Sequence, residues 1–390
     1  MLKDIFIVSG ARTPIGSFGG SLASLSATKL GSIAIEAAIE RAGIDKSEVD
    51  EVYMGMVSQA GAGQAPARQA SLFAGLDSSV ICTTVNKVCS SGIKSIMLGS
   101  QNLMCGHQKV IVGGGMESLS NVPFYLLRGE TKYGGMKLID GVLFDGLTDV
   151  YDKVHMGDCI ESLAKKMKIS RDDQDKFTVL SYTRSNEAVM SGHHAKEIVP
   201  VHIKQKKGST EIKEDEEYKR VNFDRIFKLP PIFQKKGGTV TIANTSTLND
   251  AAAAMVLMSE DSIKDFKQCK PIARIIGFAD AATAPVDFPV APAFSINKLL
   301  KICGVPKEDV ALWEINEAFS LVALANMQLL DLDPERVNVH GGAVSLGNPF
   351  AMSGARLVLH LAYALKKGEK GVAAICNGGG GSSSIMIEKL

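Results

Sequence analysis

The chain has 390 residues, with 43 Lys and Arg against 42 Asp and Glu and an apolar fraction of 45%. That length carries two or three domains whose cores need no disulfide or metal staple, and a net charge of +1 supplies no field to gather nucleic acid or an anionic membrane. The longest apolar runs, such as Ala251 to Met258, fall well short of the roughly 20 residues that cross a bilayer.

Glycine, at 38 residues, exceeds its usual share of about 7% and is clustered, which predicts backbone brought close to something. The seven cysteines (82, 89, 105, 159, 269, 303, 376) contain no C-x-x-C pair. They fit neither a secreted disulfide framework nor a zinc site, so a reducing compartment is expected. The opening run Met1 to Val8 reads as a strand without a signal-peptide core or Arg-rich transit segment, so a targeting peptide is expected to be removed or absent.

In chain order, a strand over the first residues precedes a helical pattern from Leu30 to Ala42 and the segment Gly43 to Met54. Cys89-Ser90-Ser91-Gly92 then opens an amphipathic helix with apolar Ile93, Ile96, Met97, Leu103 and Met104, followed by a strand from Val110 to Val112 and Gly113-Gly114-Gly115. The same succession returns later in the chain. Gly304 to Ile315, Ser353-Gly354 with a helix through Leu365, a strand from Val372 to Ile375, and Cys376 before Gly378 to Gly381 sit 261 or 262 residues further on. A constant offset over four elements predicts a duplicated α/β fold with a parallel or mixed sheet in each half. The first half is expected over 1–119 plus 249–269 and the second over 270–390. Residues 120–248, with the charged stretch Lys204 to Arg220 and Pro230-Pro231, read as an inserted loop-rich subdomain covering a site, the charged stretch itself as a solvated hairpin.

If the halves face each other, loops after equivalent strands meet where ligands bind. That brings together Cys89, Gly347-Asn348-Pro349, Asn316-Glu317-Ala318-Phe319 and Cys376. Cys89 at a helix N-terminus is expected to have a lowered thiol pKa, and Cys376 before three glycines stands beside backbone N–H donors. A buried inert cysteine and a structural turn are the competing readings.

Val85-Asn86-Lys87-Val88-Cys89-Ser90-Ser91-Gly92, Gly114-Gly115-Met116-Glu117-Ser118, Asn316-Glu317-Ala318-Phe319, Gly341-Gly342-Ala343 and Cys376-Asn377-Gly378-Gly379-Gly380 strongly resemble the thiolase family over essentially the whole chain. Within it, Val154-His155-Met156-Gly157, Glu214 to Arg220 and Asp287-Phe288-Pro289 are most similar to the mitochondrial acetoacetyl-CoA branch. The resemblance implies an α/β fold of two duplicated halves layered α/β/α/β/α, with the insert over coenzyme A. It also implies an acetyl-CoA C-acetyltransferase, running a reversible Claisen condensation by a ping-pong route. Cys89 is then the nucleophile and Cys376 the acid and base. The N–H groups of Cys89 and Gly378 form one oxyanion site, and Asn316 positions a water at the other.

One motif departs from the family, which carries Gly-His-Pro where this chain has Gly347-Asn348-Pro349-Phe350-Ala351. Asn348 can donate to an oxyanion but cannot take a proton from Cys89, so weak turnover is expected. His340, eight residues upstream, is a conceivable substitute, though a strand histidine pointing elsewhere is the simpler reading. Changes at Phe350 and Ala351 as well as Asn348 favour a drifted natural paralogue over an engineered one. A CoA-ester binding protein or a weak or inactive oligomer partner stays open beside the enzyme.

By the same resemblance, Tyr182, Arg220, Val221, Asn222 and Arg225 lie near the nucleotide, Ser246, His155, Met156 and Phe319 near the pantetheine, and Phe288 and Pro289 beside a 2-methyl-branched acyl group. Potassium is implied at Tyr182 and the carbonyls of Ile242, Ala243, Thr245 and Val344, where Ile242 and Thr245 replace expected alanines. A homotetramer built as a dimer of dimers, acyl-CoA substrates, no nucleic acid and no membrane complete the expectation. The mitochondrial matrix is the implied location, with the cytosol as alternative; the terminal Glu388-Lys389-Leu390 is a poor peroxisomal address.

Overall fold

The computed structural model describes residues 3–129, 133–204 and 208–390; residues 1–2, 130–132 and 205–207, the last within the charged stretch, lie outside the described residues. The first half runs β1 (Ile5–Arg12), β2 (Gly16–Ser17), α1 (Ala27–Ala42), β3 (Glu51–Gly55), α2 (Pro66–Phe73), β4 (Ile81–Val85), α3 (Ser91–Cys105) and β5 (Val110–Ser118). The insert holds β6 (Phe124–Tyr125), β7 (Ile139–Asp140), α4 (Met156–Met167), α5 (Arg171–Met190), β8 (Val201–Lys204), β9 (Ser209–Ile212) and α6 (Phe223–Ile226). The chain then returns through β10 (Asn249–Ser259) and α7 (Glu260–Asp265). The second half follows with β11 (Ala273–Ala282), α8 (Ala291–Cys303), β12 (Val310–Ile315), α9 (Ser320–Leu330), α10 (Ala343–Leu346), α11 (Phe350–Ala364), β13 (Lys370–Asn377) and β14 (Gly381–Lys389).

Duplication is visible in the sheet order. The first half reads β4-β3-β5-β10-β1 and the second β12-β13-β14-β11; β4, β3 and β5 run parallel, as do β12 and β13, and antiparallel pairs follow in each half. Each half therefore ends on an antiparallel strand that the helical repeat did not announce. β1 pairs with β11 at Ile5↔Ile275, Phe6↔Arg274 and Ile7↔Ala273, so among the described residues the two halves form one ten-stranded sheet.

Burial sets the layers. α1 and α2 cover the outer face of the first half through Leu30, Ile35 and Ala70 against Val52, Val112 and Ala252. α8 and α9 do the same for the second through Ile296, Leu299 and Ala323 against Val372 and Met386. α3 and α11 pack between the inner faces, with Ile93, Ile96, Leu357 and Val358 in one cluster with Leu257 and Ile387. The five layers are thus those of the whole chain, and the central helical layer is shared. The Ala251–Met258 run is strand β10, buried on both faces, which is why it reads as continuously apolar. Among the described residues no helix is long and apolar enough to cross a membrane.

The glycine clusters answer to this packing. A Cβ at Gly92 or Gly115 would collide with the carbonyl oxygen of Ala351, so small residues let α3 and β5 approach the start of α11.

The insert is less loop-rich than its composition predicts. α5 is 20 residues long, opened by a capping box of Ser170 and Asp173. Its inner face is polar, which conceals it from an apolar pattern. Thr178 meets Ser320, Ser181 and Ser185 meet Ser345, and Ser181 donates to Glu317, at 2.6 to 2.9 Å. The charged stretch does hold an exposed hairpin of β8 and β9, but Asp215 is buried and forks onto Arg12 at 2.7 and 2.9 Å.

Candidate active site

The loops ahead of α3 and α11 and the turn after β13 close on one cavity of about 180 Å³. Cys89, Cys376, Asn348, His155, Met156, Ser246, Thr245, Phe288 and Phe319 line it together with Phe350 and Phe233. Cys89 is reached through a strained turn. Val88 has φ +48°, an outlier for a β-branched residue, and is held there as Lys87 N donates to Ser91 Oγ at 2.8 Å and Ser91 Oγ donates to Val88 O at 2.5 Å. Strain of this kind persists where surroundings over-determine it, often at functional sites. Lys87 also reaches Asp280 at 2.6 Å and Ser383 at 2.8 Å, which fastens the turn to the second half.

A lowered Cys89 pKa is not what this environment produces. The thiol is pushed up to about 12, first by burial and then by the charge of Glu117, while the N–H groups of Cys89 and Gly378 pull it down. Cys89 precedes the N-cap Ser90, and a helix end contributes at most about 2 kcal/mol, too little against burial. Cys376 is raised too, by burial and then by Cys89. Glu117, fully buried, rises to about 7 through burial, although the N–H groups of Ser58, Val57 and Ala351 oppose this.

Gly378 lines an adjoining hollow with Val88, Met156 and Phe288, its N–H acting on the Cys89 sulfur. Gly379 and Gly380 have φ of 82° and 85°, the left-handed turn that glycine allows between β13 and β14. Asn316 is 1% exposed, does not line the cavity, and both its amide atoms lack a hydrogen-bond partner among the described residues. Its neighbour Glu317 is an anchor, accepting from Ser181, Asn338 and the Val344 N–H at 2.8 to 3.1 Å.

Asn348 is 4% exposed. Ser353 Oγ donates to its Oδ1 at 2.6 Å, and its Nδ2 donates to Ser246 Oγ at 3.2 Å, which leaves one amide hydrogen for a ligand. His155 caps α4 by accepting from Gly157 N at 3.0 Å on Nδ1, so its proton sits on Nε2; burial lowers its pKa. Phe233 stacks on its ring at 4.7 Å. Phe233 and Leu147 carried no motif or periodicity that marked them, although Phe350 was visible as a departure beside Asn348. His340 lies in a turn, not a strand, bonded to His360 at 2.9 Å and outside the cavity lining.

A second hollow of about 380 Å³ gathers Tyr182, Arg220, Val221, Asn222, Arg225, Ile242 and Ala243, and Thr247 lines both it and the cavity. The expected potassium positions are only partly collected there: Thr245 lines the cavity instead, and Val344 is buried in α10. Ile242 is 63% exposed, so its bulk does not fill the hollow. Pro289 is buried behind Phe288, its carbonyl accepting from Asn326 at 2.8 Å, and does not line the cavity.

Two cysteines, one at a strained turn before α3 and one at the end of β13, share a cavity of the kind an acyl-transfer site needs. Residues 5–261 match the family model "Thiolase, N-terminal domain" and residues 269–389 match "Thiolase, C-terminal domain"; the chain belongs to the thiolase family. It is 62% identical over 390 residues to the mitochondrial acetyl-CoA acetyltransferase of Rattus norvegicus, covering 100% of this chain and 92% of that protein. Its identity to the Homo sapiens enzyme of the same name is 59%, over 100% and 91%. Among solved structures, the Acat5 thiolase from Ascaris suum in complex with coenzyme A is similar at TM-score 0.96 and 46% identity, covering 100% of both chains. The Bacillus anthracis acetyl-CoA acetyltransferase is similar at TM-score 0.96 and 35%, over 100% and 99%.

Proposed function

We propose that the chain is an acetyl-CoA C-acetyltransferase that condenses two acetyl-CoA molecules and cleaves acetoacetyl-CoA, the chemistry for which its relatives are named. The observation that carries this reading is the cavity shared by Cys89, Cys376 and Asn348. Cys89 Sγ attacks the thioester carbonyl, its carbon–sulfur bond forms, and coenzyme A leaves with the proton. Cys376, as its thiolate, takes an α-proton from the second acetyl-CoA; the resulting carbanion attacks acetyl-Cys89, a carbon–carbon bond forms, and the departing Cys89 thiolate recovers that proton from Cys376. The N–H groups of Cys89 and Gly378 stabilise the acyl oxyanion, and Asn316, whose amide bonds nothing else, holds a water for the enolate.

Coenzyme A lies over the two hollows joined at Thr247. Its nucleotide sits near Tyr182, Arg220, Val221, Asn222 and Arg225, and its pantetheine near His155, Met156, Ser246 and Phe319. Phe288 borders the acyl group, so 2-methylacetoacetyl-CoA is a substrate beside acetoacetyl-CoA; discrimination beyond about 100-fold between them, roughly 2.7 kcal/mol, overturns this pocket. Potassium fits the carbonyl-rich end of the second hollow. Among the described residues no hydrogen bond ends on the carbonyl oxygens of Ile242, Ala243 or Thr245, and carbonyl oxygen suits hard cations. Exchange of potassium for sodium then weakens coenzyme A binding. A homotetramer in the mitochondrial matrix completes the proposal.

A second reading, a CoA-ester binding protein, is favoured by the raised Cys89 thiol and by an asparagine where the family has its base. Incubation with acetyl-CoA separates them: acetylation of the Cys89 peptide supports the enzyme, and intact coenzyme A binding without acetylation up to about pH 9, where an ordinary thiol is largely ionised, supports the carrier.

A further inference from the structure

Four of the chain's seven histidines converge away from the cavity. His193 stacks on His340 at 4.1 Å, His340 meets His360 edge-on at 5.0 Å, and His194 lies 5.5 Å from His360. His360 Nδ1 bonds the carboxylate of Glu197, and its Nε2 is 2.9 Å from His340 Nδ1. His194, Glu197 and His360 are each at most 2% exposed, and one ligand atom from each lies within 4.8 Å of the others. His194 Nδ1 is buried with no hydrogen-bond partner among the described residues, while Nε2 faces the His340 carbonyl at 3.1 Å. Buried nitrogens are seldom left so.

Charge points the same way. Arg12 binds Glu197 Oε2 at 2.8 Å and forks onto Asp215, so one buried guanidinium faces two buried carboxylates. With neutral imidazoles the cluster carries a net negative charge in the interior, where an uncompensated charge is costly. A proton drawn onto His360 by Glu197 or a bound cation would balance it.

We propose that His194, Glu197 and His360 bind a divalent transition-metal ion of the zinc type. Two imidazoles and a carboxylate are a donor set such ions take, at about 2.0–2.2 Å for zinc. His340 stands behind His360 as its outer hydrogen-bond partner, the arrangement that orients metal-bound imidazoles. A cavity of about 220 Å³ lined by His194, Ile198 and Asp215 gives entry. The ion ties the segment after α5 to α11, the helix that begins two residues past Asn348, and takes no part in the acyl cavity.

Chelator-treated full-length protein titrated with Co²⁺ tests this. The visible d–d bands of tetrahedral Co²⁺ are expected to saturate at one ion per chain and to vanish on adding Zn²⁺, which raises Tm. His194→Ala removes the unpartnered Nδ1 and, with Nε2, one hydrogen bond to the His340 carbonyl; it should abolish the bands while the far-UV circular dichroism stays native, as should His360→Gln if that variant folds. His202→Ala, at an exposed histidine on the hairpin, should keep them. Folded wild-type protein without bands, or equal uptake by wild type and His194→Ala, overturns the site and leaves a proton on His360 as the balancing charge.

Discussion

Ser90 Oγ donates to Asn377 Oδ1 at 2.8 Å, so the residue after Cys89 is bonded to the residue after Cys376. Ser90 also reaches the Ile375 carbonyl at 3.2 Å. The separation of the two sulfurs is thereby tied to a hydroxyl buried between α3 and β13. Ser90→Ala leaves a buried amide oxygen without this partner and should cost about 1–3 kcal/mol. We expect a lower Tm, and condensation that slows more than acetylation of Cys89, measured in one single-turnover series. Equal slowing of both steps would remove Ser90 from the alignment of the pair.

The raised Cys89 thiol predicts the pH course of its reactivity. Iodoacetamide labelling of the Cys89 peptide should climb about tenfold per unit from about pH 7 to about pH 10 without levelling, because only the thiolate reacts. Glu117→Gln removes the neighbouring charge, and the gain in labelling should be greatest above about 7, where the native carboxylate ionises. A plateau near the ordinary thiol value of 9.0 contradicts the burial argument.

Placing an imidazole at position 348 tests whether the proposed reaction lacks a base there. Ser353 and Ser246 already bracket the side chain, so Asn348→His has a hydrogen-bond donor and acceptor waiting. General base catalysis supplies about 10²–10⁴-fold, and acetyl transfer to Cys89 should rise by about 10²-fold or more with coenzyme A affinity little changed. An unchanged rate shows that proton removal from Cys89 is not what limits the native chain.

Asn316 makes no side-chain hydrogen bond, so Asn316→Ala forfeits none. Its stability should stay within about 1 kcal/mol of the native value, read by urea denaturation. Condensation should fall by about 10²–10³-fold, the loss expected when an oxyanion donor is removed. A stable variant with full activity would make the buried amide irrelevant to the reaction.

The repeat, the two cysteines that share the cavity, Asn348 and the family were legible in the linear chain, because equivalent strand–helix units restate their apolar spacing and glycines at a fixed offset. The closing strands β10 and β14 were not, since a strand buried on both faces loses its alternation. α5 escaped notice because the hydroxyls of Thr178, Ser181 and Ser185, not leucines, dock it on the second half.

What the order of residues determined by itself is the list of candidate reacting groups and the two halves that carry them. Tertiary structure decided how those groups behave. It buried Cys89 beside Glu117 and so raised a thiol that its place before a helix would lower. It also drew His340 and His360 from distant segments to His193, His194 and Glu197, a proximity no spacing records. The reason is the same in both cases: ionisation and coordination depend on desolvation and on charges within a few ångströms, and those neighbours are set by packing across the fold, not by adjacency along the chain.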